Sequence, residues 1–311
     1  MIAEKKYLQP HTIADALLFA QQNVDSFSYL AGGTDIIVNK FQGNNVSTCL
    51  IDISQIAELK NIVIDGNCLK IGSLVRLDDL KKNAHILERY PALIHSANAV
   101  ASPMLRKTAT IGGNILCENR CMFYNQSDWW REAVGYCLKC DGDICIATGG
   151  KKACFSKFVS DTAPVLISMD AYIEVLDWNS STIEPLESIY TGDGITPLAL
   201  PATSLIGAIL LPLDHPITIF KKLRPREAVD FTSLTTAVSL YESGRLKVVL
   251  GGVDPKPIVI QGTINDDFEE LIKNALKKSR TVDNDYYSRA YRREMIKVFL
   301  QQSFTELSLR P

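Results

Sequence analysis

The chain has no apolar run approaching the roughly 20 residues that a membrane-spanning helix needs. It has almost no net charge: 33 basic residues against 35 acidic ones leave −2 at neutral pH, so no general attraction to nucleic acid or to an anionic membrane is expected. Its start, Met1-Ile2-Ala3-Glu4-Lys5-Lys6, lacks the basic-then-apolar layout of a secretory leader, which makes a cytoplasmic location the expectation. Neither the G-x-G-x-x-G dinucleotide fingerprint nor a phosphate loop ending in Lys-Ser/Thr is present, which disfavours a Rossmann domain and a P-loop ATPase. There is no cysteine after position 154, no internal repeat and no low-complexity segment.

What is present is ordinary in bulk and uneven in detail. A length of 311 residues suffices for two or three modest domains, and 46% hydrophobic with 22% charged residues is typical of a globular protein. The patterning is mixed α and β. Thr12 and Asp15 form a capping signal for a helix through about residue 23. Strands are expected over 48–53, 61–71, 171–176 and 246–252. Helices are expected over 77–83, 85–99 (interrupted near Pro91), 163–171, 231–240, 267–278 and 283–302, and a linker over 211–216.

Two glycine turns stand out: Gly32-Gly33-Thr34-Asp35 after a strand-like run, and Gly112-Gly113-Asn114 after Thr110-Ile111. Glycines let backbone N–H groups approach an anion closely, and Thr34, Thr110 and Asn114 add side-chain groups. Each turn taken alone reads more readily as an ordinary tight turn.

Six of the eight cysteines fall between positions 117 and 154, within a 117–160 stretch that has no clean period and four aromatics over 123–130. Such a cluster suggests metal before disulfides. Cys49 and Cys68 sit in strand-like runs and read as buried thiols. Two ligand sets compete. Cys117-x3-Cys121 with Cys137-x2-Cys140 has the form of two zinc knuckles. Cys121, Cys137, Cys145 and Cys154 form an alternative, irregular set.

The run Tyr29-Leu30-Ala31-Gly32-Gly33-Thr34-Asp35-Ile36, followed by Ala109-Thr110-Ile111-Gly112-Gly113-Asn114, resembles the pair of FAD loops in the medium subunit of the xanthine dehydrogenase (molybdenum hydroxylase) family. Residues 221–231 and Leu250-Gly251-Gly252-Val253-Asp254-Pro255-Lys256-Pro257 resemble landmarks of that family's C-terminal domain, so the likeness covers nearly the whole chain. It implies an α+β fold: a two-lobed FAD-binding domain of the vanillyl-alcohol-oxidase type over 1–213 (lobes about 1–55 and 56–213), then a smaller C-terminal domain over 214–311. It also implies that Tyr29, Leu30, Ala31, Gly32, Gly33, Thr34, Asp35 and Ile36 wrap the FAD pyrophosphate, that Thr110, Gly113 and Asn114 line the second side, that Asp161 contacts the flavin, and that Lys221 lies near its ring. Read without the resemblance, Asp161 is as easily a helix cap and Lys221 a solvated charge.

The insert, with Arg120-Cys121-Met122-Phe123-Tyr124 and Gly135-Tyr136-Cys137, is similar to one branch of the family, the β subunit of 4-hydroxybenzoyl-CoA reductase. That likeness implies a [4Fe–4S] cluster on Cys121, Cys137, Cys145 and Cys154, with Cys117 and Cys140 left as free thiols. Arg120, Arg131, Lys139, Lys151 and Lys152 would offset the cluster's charge, and Phe123, Tyr124, Trp129 and Trp130 would shield it. The implied partners are a large molybdenum-cofactor subunit and a small [2Fe–2S] subunit, in a dimer of heterotrimers. A ferredoxin-like donor would feed electrons through cluster and flavin toward molybdenum, for reductive dehydroxylation of 4-hydroxybenzoyl-CoA. Two other functions remain open: the FAD subunit of a hydroxylase for xanthine, nicotinate or another aromatic, and a non-catalytic scaffold with structural zinc.

Overall fold

Three sheets divide the chain in a computed structural model that describes residues 5–308; residues 1–4, on which most of the leader reading rests, lie outside them. The first sheet is small and parallel. Strands β1 (Lys6–Leu8), β2 (Phe27–Leu30) and β3 (Cys49–Asp52) lie in the order β1-β3-β2. Parallel neighbours need crossovers, and these carry helices α1 (Ile13–Gln22) and α2 (Ile36–Phe41). Thr12 caps α1 as its sequence requires, accepting a hydrogen bond from the Asp15 amide at 3.1 Å. One face of α1, made of Ala16, Leu17 and Ala20, packs into the core around Ile51.

The second lobe is built on the five-stranded antiparallel sheet β4-β5-β8-β6-β7. Its strands are β4 (Ile62–Asp65), β5 (Cys68–Gly72), β6 (Tyr172–Asp177), β7 (Ser180–Pro185) and β8 (Leu205–Pro212). The expected single strand over 61–71 is instead the β4–β5 hairpin, because Gly66 turns the chain at φ +57°. Helices α3 (Ala84–Arg89), α4 (Pro91–Asn98), α5 (Pro103–Arg106), α6 (Ile111–Ile115), α7 (Asp128–Val134) and α8 (Thr162–Ser168) join β5 to β6. Pro91 opens α4 at its first position, where the missing N–H costs nothing, and Tyr90 between α3 and α4 leaves helical geometry.

The C-terminal domain is the antiparallel sheet β12-β11-β10-β9, with β9 (Ile217–Leu223), β10 (Leu234–Leu240), β11 (Arg245–Gly251) and β12 (Ile258–Thr263), followed by α9 (Phe268–Lys278) and α10 (Arg289–Ser308). The helix expected over 231–240 is strand β10. It is one of the two inner strands of this sheet, with α8 on one face and α10 on the other, so nearly every residue is buried and the polar–apolar alternation that marks a half-exposed strand is missing. Helix α8 is wholly buried; it touches α4 and α6 on one side and β10 and β11 on the other, joining the second lobe to the C-terminal domain. No helix among the described residues is long and apolar enough to cross a membrane.

Candidate functional site: a glycine-lined cleft beside a cysteine-lined void

A cleft of about 520 Å³ opens between the lobes, and both glycine turns line it. The first turn leaves β2 at Leu30 and enters α2 at Ile36. A Cβ on Gly32 would stand 1.9 Å from the Thr108 carbonyl oxygen, so only glycine lets the turn lie against the 108–109 backbone. Gly33 takes φ +73°. The amides of Gly33, Thr34 and Asp35 donate no hydrogen bond to protein among the described residues, which leaves them free for an anion. The second turn is the start of α6. Thr110 Oγ1 accepts from the Gly113 amide at 3.1 Å, and a Cβ on Gly112 would collide with Ser73 at 2.7 Å. Asn114 Oδ1 accepts from Ser160 Oγ, the Thr162 amide and Thr162 Oγ1, which ties α6 to the start of α8.

Of the residues singled out in sequence, Tyr29, Ala31, Gly32, Gly33, Thr34, Asp35, Ile36, Thr110, Gly113, Asn114 and Asp161 line this cleft. Leu30 does not; it packs beneath the turn, its Cδ1 3.3 Å from where a Gly33 Cβ would stand. Lys221 is not brought to the cleft either. It faces the opposite side of β9 and pairs with Glu306 of α10. The neighbouring Lys222 faces inward and donates to Asp161 Oδ2 at 2.6 Å, because a shift of one residue along a strand reverses the face. Asp161 makes no capping bond to α8. Its Oδ1 is buried at the cleft wall without a partner among the described residues. Burial pushes the Asp161 carboxyl up and the Lys222 ammonium down, and each opposes the other's shift. Free turn amides and glycines that no side chain could replace fit the phosphates of a large nucleotide cofactor, and the open Asp161 oxygen can accept from that cofactor's hydroxyl or ring N–H donors.

Sequence reasoning missed Ser73, Arg120 and residues 229–231 as cleft walls. Val229 carries φ +74°, which is rare for a β-branched residue, and hydrogen-bonds Ala101 O across the cleft. The motifs that contain Arg120 and residues 229–231 do not announce their place in the cleft wall, and Ser73 lies in no motif.

Beside the cleft is a smaller void bordered by Cys121, Cys137, Cys145 and Cys154. Cys117 borders the cleft instead, and Cys140 lies beside Cys137 within hydrogen-bonding reach. Burial pushes the Cys121 thiol up to about 11. Cys137 is pulled down to about 6 by the hydrogen bond from Cys140 and by nearby backbone N–H groups, while Cys140 is raised. Among the described residues, no group of three or more His, Cys, Asp or Glu is arranged to hold a metal ion. Tetrahedral zinc would need sulfurs about 3.8 Å apart, and the first knuckle is split between two cavities, so the zinc-knuckle expectation is not met. Tyr124 borders both cavities. Trp129 is 74% exposed and shields nothing, and Lys151 and Lys152 are solvated, whereas Arg120 and Arg131 are buried.

Fold and cleft define a two-lobed FAD-binding domain of the vanillyl-alcohol-oxidase type, followed by a C-terminal domain of the carbon monoxide dehydrogenase flavoprotein type. Residues 3–214 match the family described as the FAD-binding domain in molybdopterin dehydrogenase, and the chain belongs to that family. It is 32% identical over 261 residues to the aldehyde oxidoreductase FAD-binding subunit PaoB of Escherichia coli strain K12, covering 81% of this chain and 82% of that one. It is 26% identical over 286 residues to the xanthine dehydrogenase FAD-binding subunit of Escherichia coli O157:H7, covering 89% and 82%. Its fold matches a chain of carbon monoxide dehydrogenase from Hydrogenophaga pseudoflava with a TM-score of 0.77 at 19% identity, over 98% of each chain. The chain is thus an oxidoreductase subunit of the molybdenum hydroxylase family, and its cofactor is FAD.

Proposed function

We propose that this subunit passes electrons between a one-electron carrier and a molybdenum-bearing partner, using FAD in the glycine-lined cleft and a [4Fe–4S] cluster on Cys121, Cys137, Cys145 and Cys154. The observation that carries the reading is the pair of adjoining cavities that share Tyr124 as a wall, one lined by the flavin turns and the other by those four cysteines. A cubane puts iron and sulfide between its thiolates, so its cysteines stand wider apart than those gripping a single ion. When bound, FAD supplies a centre that joins one-electron to two-electron transfer, and a cluster supplies a one-electron relay.

The chain's own residues would do the holding. The amides of Gly33, Thr34 and Asp35 receive the pyrophosphate, Asp161 faces the flavin, and buried Arg120, Arg131 and Lys139 offset thiolate charge. The partners would be a large molybdenum-cofactor subunit and a small [2Fe–2S] subunit, with a ferredoxin-like donor.

The substrate is decided on the partner. The likeness of the insert to the reductase branch supports 4-hydroxybenzoyl-CoA, reduced to benzoyl-CoA. The 32% identity to an aldehyde oxidoreductase subunit supports a second reading, oxidation of an aldehyde. Anaerobic purification tests the cofactors. Flavin, iron and acid-labile sulfide are expected together, lost as iron and sulfide in Cys145→Ser and Cys154→Ser but retained in Cys117→Ser and Cys140→Ser. Zinc without sulfide would overturn the cluster. Turnover of 4-hydroxybenzoyl-CoA, an aromatic aldehyde and xanthine by the reconstituted complex then separates the substrate readings.

A further inference from the structure

The cysteine insert leaves the flavin-binding framework at Arg120 and returns at Lys157. These two residues pair as an antiparallel bridge, Arg120 N to Lys157 O at 2.9 Å and Lys157 N to Arg120 O at 2.8 Å. Their side chains are anchored in different parts of the fold. Lys157 is buried against Asp285 of the C-terminal domain and donates to Thr232 O at 2.8 Å. The Arg120 guanidinium pairs with Asp35, the last residue of the first flavin turn, and donates to Glu118 O at 2.8 Å. It also lies over the Phe231 ring, 4.6 Å from its centroid. The other oxygen of Asp35 accepts from the Glu118 amide at 3.1 Å. Arg120 is only 6% exposed, forms part of the cleft wall, and is covalently joined to Cys121, which borders the void.

A single side chain therefore touches the flavin turn of the first lobe and the 229–231 wall from the C-terminal domain, while its backbone carries the first cysteine of the set. We infer that Arg120 is a positioning residue: through its pair with Asp35 it fixes the cysteine-lined void relative to the flavin turn, and so sets the rate of electron exchange between them. The inference rests on the reading that the four cysteines hold a cluster. A planar guanidinium suits this role because it can meet a carboxylate, a carbonyl and an aromatic face together. Arg120 is buried and Asp35 half-buried, so the pair is less screened by salt than a surface pair.

The test uses the whole purified chain with Arg120→Gln, Arg120→Lys and Asp35→Asn. Flavin, iron and sulfide content are measured first. Exchange is then followed by stopped-flow reduction with a limiting reductant, monitoring flavin and iron–sulfur bands separately. Arg120→Gln and Asp35→Asn are expected to keep both groups and slow exchange by about tenfold or more, since small displacements of reacting groups carry large rate penalties. Arg120→Lys, which keeps the charge facing Asp35 but not the planar fork, is expected to recover part of the rate. Exchange at the wild-type rate in Arg120→Gln would overturn the inference. If Arg120→Gln loses a cofactor, recovery of that cofactor in Arg120→Lys supports the charged pair, and equal loss in both overturns it. Wild-type protein with flavin but no iron or sulfide would instead sink the cluster reading beneath it, an outcome visible before any variant is made.

Discussion

Lys222 Nζ meets Asp161 Oδ2 at 2.6 Å with both side chains only 5% exposed, and this pair joins the C-terminal sheet to the flavin cleft. Removing one partner of a buried pair leaves the other charge uncompensated. Lys222→Met is therefore expected to destabilise the chain by about 3–5 kcal/mol. Lys221→Met, which loses only a partly exposed contact with Glu306, should cost less than about 1 kcal/mol. Urea denaturation of the two variants gives the comparison; equal costs would contradict the assignment of faces on β9.

Gly32→Ala should remove FAD. The new methyl would meet the Thr108 carbonyl at 1.9 Å, and a backbone atom cannot swing aside. Overpacking of this kind costs about 1–3 kcal/mol or more and displaces the turn. Gly66→Ala is the control: its φ of +57° is unfavourable for alanine but none of the described residues lies within 4 Å of the new Cβ. It should cost about 1 kcal/mol and leave flavin content unchanged. Flavin released on denaturation, measured per chain, reads both.

Acid should loosen the junction at Asp170. Burial works against its ionisation, but hydrogen bonds from Arg245, Lys247 and Tyr241 outweigh it and hold the carboxyl below its ordinary 3.8. A carboxyl depressed on folding contributes stability that is complete above the unfolded value and disappears as pH falls through the folded one. Thermal melts of wild type and Asp170→Asn should thus differ fully at pH values above the ordinary 3.8 and draw together as the pH falls below it. A gap that stays constant over that range would show the carboxylate charge to be irrelevant.

Arg292 is fully buried on α10 and donates to Gly252 O at 2.9 Å, Val282 O and Asn284 Oδ1 at 3.0 Å. Arg292→Met strands these acceptors, with an expected loss of about 2–4 kcal/mol. Asn284 also receives the Met122 amide on its carbonyl oxygen and donates to Phe155 O, so faster amide exchange should reach into the insert. Hydrogen exchange confined to α10 would argue against that coupling.

The glycine turns were legible because paired glycines stand out in the sequence, although what requires Gly32 and Gly112 is close approach to Thr108 and Ser73, far along the chain. Thr110, by contrast, answers to a capping bond within its own turn. Helix α1 was legible because its cap, Thr12, is likewise local. Lys221 was not separable from Lys222 in sequence, since only the register of β9 against β10 decides which of them faces Asp161. Strand β10 was misread because helices cover both of its faces and erase its alternation. Helix α7 went unseen: its cap, Ser127 Oγ accepting from the Trp130 amide at 3.3 Å, is local, but Trp129 points outward and Arg131 inward, the reverse of what hydropathy suggests. Arg131 is buried because it donates to Gln42 O at 2.7 Å in the first lobe, a partner 89 positions away in sequence.

The bridge between Arg120 and Lys157 has a consequence for ancestry. A segment that departs and returns at touching points can be acquired or discarded by a lineage without rethreading the sheets on either side. Shortening the chain to a tight turn between those two residues should therefore leave a foldable, flavin-holding remnant that has lost its cysteine-lined chamber.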